Sequence, residues 1–307
     1  MDVAAPRWAR ATLVGWWVVA AALFWLAPAP PVAPLGRTED EAIFQRQLDE
    51  TVARTRRWQD SRGDLTIPWH EARGHLAIVI DDIGRELHHF DQLLALRFPL
   101  TFSVVPGGVY AVGAQLRLRA DRRRPREILL HLPCEPVDPA AMQTELEARE
   151  QFLRLGASAD ELRAALRAAL ERVPVAVGVN NHMGSRLTAD RAAMDALMPE
   201  LRQRGLFFLD SRTTPHSQAL AAAAAAGVPA LGRDVFLDHD PRPDAILAQL
   251  HAAAVRAREA PTVVIAHPSQ EVVEALRVEL PRLWADGIGV YPLREILARG
   301  GGDKVRD

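Results

Sequence analysis

From residue 76 to residue 298, short and continuously apolar runs alternate with stretches of helical period. The runs at 76–80, 100–105, 127–130, 175–179, 206–209, 228–231, 262–266 and 288–291 are only four to six residues long, which suits strands covered on both faces. Between them, 86–97, 158–172, 190–204, 215–226, 243–259 and 269–285 read as helices. Ser158 with Glu161 three residues on forms a capping-box pattern, and Gly205, Gly227 and Gly287 stand where helices end. Strand followed by helix, repeated, favours a parallel sheet. Seven or eight such units within about 225 residues close on themselves, so the expected fold is α/β, a distorted (β/α)7-8 barrel over 75–298.

The polar residues gather where these runs stop. Asp81 and Asp82 end the first run, His131 the third, Asn180, Asn181 and His182 the fourth, Asp210 the fifth, and His267 follows 262–266. In a parallel barrel all strands point one way, so these ends converge on one mouth. Adjacent residues of a strand face opposite ways, so of Asp81 and Asp82 one can bind a metal while the other holds a proton of water or substrate. His131, restrained by Pro133, suits rigid ligation, and Glu135 is open to ligating, orienting a ligand or a structural role. The turn Asn180-Asn181-His182-Met183-Gly184-Ser185 offers a further ligand in His182 and amide donors in the asparagines. Pro268 keeps His267 extended toward the mouth, where an imidazole serves as general acid. Asp210, Arg212, Arg233, Asp234 and Asp238 complete the polar set as charge-paired supports around it. His70, His75, His88, His89, His216, His239 and His251 lack strand-end positions and default to surface or linker roles, His239 beside Asp238 and Asp240 being the main exception.

Residues 1–38 read as an export segment. Arg7 and Arg10 precede the uncharged apolar run 11–27, which a Pro-rich tail follows, so the N-terminus is expected in the cytoplasm and the rest across the membrane. At about 1.5 Å per residue the run spans roughly 26 Å, which suits either an uncleaved inner-membrane anchor or a cleaved signal. Residues 39–74 read as a stalk helix and linker, and 299–307 as a disordered tail. The expected location is therefore the periplasmic face of a bacterial inner membrane, or the soluble periplasm after cleavage. A formal net charge of −2 gives no electrostatic case for a nucleic-acid partner. With Cys134 the sole cysteine, a metal here must be held by His and carboxylate.

Six motifs carry a resemblance. Ile80-Asp81-Asp82-Ile83-Gly84, His131-Leu132-Pro133-Cys134-Glu135-Pro136, Asn180-Asn181-His182-Met183-Gly184-Ser185, Asp210-Ser211-Arg212-Thr213, Arg233-Asp234-Val235-Phe236-Leu237-Asp238 and Ala266-His267-Pro268 together resemble the divergent polysaccharide deacetylases, a branch of the NodB-homology deacetylases. The resemblance implies a distorted barrel, a divalent metal, usually zinc, and removal of N- or O-linked acetyl groups from envelope polysaccharide or peptidoglycan fragments. It further implies Asp81 as base, Asp82 and His131 as metal ligands and His267 as acid. Position 135 is Glu where the typical enzymes carry a second ligand His, and the Asn-Asn-His-Met segment replaces their Arg-x-Pro-Tyr motif, which makes His182 the substitute ligand. The same departures make a non-catalytic glycan- or protein-binding envelope module the alternative.

Overall fold

A computed structural model describes residues 63–300, apart from 123 and 144–149. The described residues belong to one compact unit. The segment expected to direct export, most of the expected stalk and residues 301–307 lie outside them. Among the described residues no helix is long and apolar enough to cross a membrane.

Among the described residues nine strands form one parallel sheet: β1 Gly74–Ile83, β2 Thr101–Val104, β3 Glu127–Cys134, β4 Gly178–Met183, β5 Phe207–Asp210, β6 Ala230–Gly232, β7 Val235–Phe236, β8 Thr262–Ala266 and β9 Ile288–Val290. The helices are α1 His88–Leu94, α2 Ala111–Ala120, α3 Ala159–Arg172, α4 Arg191–Arg204, α5 Ala219–Ala226, α6 Pro243–Ala257, α7 Gln270–Ala285 and α8 Leu293–Gly300. The expected capping box at Ser158 forms at the start of α3, and Gly205 and Gly227 take left-handed conformations at the ends of α4 and α5.

Strand order along the sheet is β6-β5-β4-β3-β2-β1-β8-β7, so its two edges are β6 and β7. Only Arg233 and Asp234 separate those edge strands in the chain. Three Cα–Cα links span at most about 11 Å, so the sheet has to curl until its edges meet. The link fastens to both sides: Arg233 N donates to Asp210 O of β5, while Asp234 N donates to Val263 O and Leu237 N to Ile265 O of β8. Residues 230–236 thus act as one stave whose first half pairs with β5 and second half with β8. This is a distorted (β/α) barrel. Leu76 pairs with Thr262 of β8 and also with Val290, so β9 lies on the edge of β1 that β2 takes farther along, not between β8 and β1.

Side-chain parity divides the core in two. Leu76, Ile78 and Ile80 of β1, with Ile128, Leu130 and Leu132 of β3, face the helices. Ala77, Val79, Leu129, Phe207, Leu209, Val263 and Ile265 fill the barrel interior, and Tyr291, Leu293 and Ile296 plug its floor. The plug is tied down by the buried carboxylate of Glu127, which accepts from Thr101 Oγ1 (3.0 Å), Leu293 N (2.7 Å), Arg294 N (3.2 Å) and Arg294 Nε (3.2 Å). Replacing Glu127 by Ala strands buried donors at the start of α8 and is expected to lower unfolding free energy by about 1–3 kcal/mol. Urea denaturation of the two proteins, followed by circular dichroism, measures it.

Candidate metal centre at the barrel mouth

The parity that packs the interior also aims the chemistry. Inward positions 77 and 79 continue to Asp81, 127 and 129 to His131, 178 to Asn180 and His182, and 263 and 265 to His267. Asp82 has the opposite parity and would face the helices in a regular strand. Instead its backbone is left-handed (φ 58°) and the ladder to β2 shifts register between Ile80 and Ile83. Both carboxylates therefore reach His131 Nε2, at 3.7 Å for Asp81 Oδ2 and 3.3 Å for Asp82 Oδ1. The expectation that the two acids point opposite ways is corrected by this irregularity at the strand end.

Asp82 Oδ1, His131 Nε2 and His182 Nδ1 form a nearly equilateral triangle with edges of 3.3, 3.2 and 3.1 Å. Tetrahedral coordination at 2.0–2.1 Å places donor atoms about 3.3 Å apart, so the triangle fits one face of a zinc-like polyhedron. Among the described residues it is the one His/Cys/Asp/Glu cluster with such geometry. Asp82 Oδ1 is buried and has no hydrogen-bond partner among the described residues, as suits an oxygen meant for a cation.

Asn180 orders the inner half of this site. Its Oδ1 accepts from Ser103 Oγ and from His131 Nδ1 (3.0 Å), and its Nδ2 donates to Asp81 Oδ1 (2.9 Å) and Ser211 Oγ (3.3 Å). One amide thus fixes the His131 ring with Nε2 toward the triangle and holds Asp81 beside it. Burial by itself would lower the His131 pKa, but the charge of Asp81 and the hydrogen bond and charge of Asp82 outweigh it and raise it. Burial would likewise raise that of Asp82, yet the imidazoles of His131 and His182, 3.3 and 3.2 Å from Oδ1, hold it well below the carboxylate range.

His267 stands on β8's extension. Asp238 anchors it, Oδ2 accepting from His267 N (2.8 Å) and both oxygens lying 3.2–3.3 Å from Nδ1. Burial opposes the charged ring, but the Asp238 hydrogen bond and the charges of Asp82, Asp238 and Asp81 push its pKa up to about 9. While Asp81, Asp82 and Asp238 are charged, this shift favours the imidazolium of His267 at neutral pH, with Nδ1 facing Asp238.

The family model described as divergent polysaccharide deacetylase matches residues 78–297. The chain belongs to this family. The uncharacterized protein YibQ of Escherichia coli (strain K12) is 36% identical over 205 residues, 66% of this chain and 61% of that protein. An uncharacterized protein of Haemophilus influenzae is 34% identical over 216 residues, 70% of this chain and 74% of its own length. A crystal structure of an uncharacterized Agrobacterium tumefaciens C58 protein shares the fold at a TM-score of 0.65 with 24% identity, covering 76% of this chain and 93% of that one. The chain thus spans less than two thirds of the E. coli relative.

In this member of the divergent family several expected polar residues brace the site rather than face it. Glu135 accepts from Leu155 N (2.6 Å) and Arg186 Nη1 (3.1 Å), clamping two loops, and is not among the clustered donors. Asn181 Oδ1 accepts from Ser211 N (2.9 Å) and its Nδ2 donates to Met183 O (2.7 Å). Asp210 Oδ1 accepts from Arg212 N (2.8 Å), and Arg212 itself is exposed. Arg233 donates to the carbonyls of Ser211 (2.6 Å) and Arg212 (2.9 Å), and feels the charges of Asp81 and Asp210. Asp234 pairs with Arg256 Nη2 (2.7 Å) and Val263 N (2.9 Å), fastening the barrel seam.

Two residues absent from the sequence reading border the triangle. Arg85 Nη1 donates to Asp82 Oδ2 (2.9 Å), and its Nε and Nη2 donate to Glu150 Oε1 (3.0 and 2.6 Å). Arg85 had a signal, lying three residues after Asp82 and directly after Gly84. Glu150 had none, since no strand ends near it.

The pair His267–Asp238 makes a pH prediction. A group whose pKa is raised on folding contributes stability in full below its unfolded value near 6.5, and the contribution is lost as pH rises through about 9. In chelator-treated protein, NMR titration of His267 should show a midpoint near 9 for the native chain. In Asp238→Asn the midpoint should fall, because burial is then less opposed.

Proposed function

We propose that the chain is a divalent-cation-dependent hydrolase that removes acetyl groups from polysaccharide or peptidoglycan-derived sugars of the bacterial envelope. The observation that carries this reading is the triangle of Asp82 Oδ1, His131 Nε2 and His182 Nδ1 at the same mouth as His267, which Asp238 anchors. Family membership and the donor set, one carboxylate and two imidazoles, support zinc as the ion. When bound, the ion supplies Lewis-acid polarisation of the acetyl carbonyl and eases ionisation of water.

The chain's own residues do the rest. Asp81, held by Asn180, takes a proton from the water whose oxygen attacks the acetyl carbon. His267 gives its Nε2 proton to the sugar nitrogen or oxygen as the bond from the acetyl carbon to that atom breaks. Acetic acid, which then ionises to acetate by losing its proton to solvent, and a free amine or hydroxyl result, and the proton gained by Asp81 balances the one given by His267. Asp238 keeps His267 charged and oriented for this transfer. The wall of β-strands and the plug of Tyr291, Leu293 and Ile296 close the far end, so substrate enters at the mouth. The basic residues Arg7 and Arg10 before the apolar run at 11–27 support a periplasmic site of action at the inner membrane.

A second reading, an envelope module that binds glycan or protein without turnover, is favoured by Glu135, which occupies a ligand position yet is spent on Arg186 and Leu155 N. Acetate release from acetylated peptidoglycan fragments and O-acetylated glycans separates the two. Hydrolysis by the zinc-loaded chain should fall at least roughly 10²-fold in Asp81→Asn and in His267→Ala, as loss of a general base or acid costs. It should also stop on chelation and return with Zn²⁺. Release that survives chelation overturns the cation-dependent reading, and none by the native protein on any such glycan favours the module.

A further inference from the structure

The two ring nitrogens of His182 face different chemistry. Nδ1 belongs to the triangle, while Nε2 lies 3.0 Å from Arg85 Nη2 and 3.8 Å from Glu150 Oε2. A guanidinium only donates, so with Arg85 as partner Nε2 accepts, and a neutral ring then carries its proton on Nδ1. A nitrogen that ligates a cation must be free of its proton. For Nδ1 to ligate, the ring proton must therefore sit on Nε2, and Nε2–H needs an acceptor.

Glu150 offers one. Its side chain is 3% exposed, and Oε2 is buried with no hydrogen-bond partner among the described residues. Arg85 has other bonds to keep if it gives up His182, namely Asp82 Oδ2 at 2.9 Å and Glu150 Oε1 at 2.6 and 3.0 Å. His131 has the corresponding arrangement already made, since Asn180 Oδ1 takes Nδ1–H and leaves Nε2 for the triangle.

We infer that Glu150 is a positioning residue that selects the Nε2–H tautomer of His182, with Arg85 holding its carboxylate and that of Asp82 in register. Glu150 thereby sets the cation affinity of the site without touching substrate. The inference rests on the cation reading of the triangle made under the proposed function. An ion pair serving Arg85 alone would leave Oε2 no task, and it would not couple Glu150 to His182.

The test uses full-length protein in detergent and Zn²⁺ alone. Competition against a chromophoric chelator gives the dissociation constant, and ¹⁵N NMR of histidine-labelled protein gives the tautomer of His182. Glu150→Gln keeps the size but loses the carboxylate, and is expected to weaken zinc binding roughly 10- to 100-fold, the range for lost supports of metal-bound His. Glu150→Asp, still a charged carboxylate with two acceptor oxygens, should regain part of the loss. In the zinc-bound native protein the His182 proton should be on Nε2. Zinc binding by Glu150→Gln within twofold of native, or a His182 proton remaining on Nδ1 in the zinc-bound native protein, overturns the inference while leaving the cation reading intact. If Glu150→Gln does not fold, the native tautomer decides by itself. A native protein that takes up no zinc overturns the cation reading, and the inference with it.

Discussion

At the end of β1 the backbone of Asp82 turns left-handed, and the whole mouth is arranged around that turn. A regular strand would send this carboxylate to the helix side, among Ile78, Ile80 and Ile83. Left-handed backbone outside glycine costs on the order of 1–3 kcal/mol, and aspartate is among the residues that tolerate it best. Two residues later Gly84 takes φ 102° against Ala111, where an added Cβ would lie 2.9 Å from the Ala111 Cα. The irregularity is thus locked by close packing of the loop between β1 and α1 against the start of α2. Among the described residues Met183, at the end of β4, and Arg212, two residues beyond β5, are the other non-glycine positions with positive φ. All three lie at the strand ends that carry the polar groups, so strain is concentrated where side chains must be re-aimed.

Bringing Asp81, Asp82, Glu150 and Asp238 toward one opening gathers negative charge in a partly desolvated space, which is unfavourable unless positive groups share it. The chain supplies Arg85 between Asp82 and Glu150, Arg233 within the field of Asp81, and imidazoles at His131 and His267 whose affinity for protons the carboxylates raise. Asp82 Oδ1 and Glu150 Oε2 remain the buried oxygens at the mouth without a hydrogen-bonded partner among the described residues. A divalent ion at the triangle would answer the first of these, and a protonated His182 Nε2 would answer the second.

Much of this was legible in the sequence because short continuous apolar runs and the polar residues that end them are local signals. The runs at 76–80, 127–130, 206–209 and 262–266 and the polar residues after them mark both the wall and the direction of its mouth. The stave at Val235–Phe236 was not legible, since two residues hold no period and its pairing with β8 is set by the seam. Helix α2 escaped notice because Val112 and Leu116 are exposed on a helix with no apolar stripe, and α8 because it plugs the floor from within the segment read as barrel end and tail. The grouping of Asp82, His131 and His182 came from resemblance joined to strand-end position, whereas the side to which Asp82 turns depends on a register shift that no spacing announces. Glu150 sits in a loop and reaches the site only through Arg85, a tertiary contact across 65 residues. Residues 1–62, with the expected export segment, lie outside the described structure.

The account stands on three side chains sharing one ion. Crystals of the zinc-loaded protein, with anomalous diffraction recorded on both sides of the zinc absorption edge, test this most directly. The account predicts one strong peak within about 2.0–2.2 Å of Asp82 Oδ1, His131 Nε2 and His182 Nδ1. A peak bound through other residues, or density leaving any of these three atoms outside coordination distance, would contradict it.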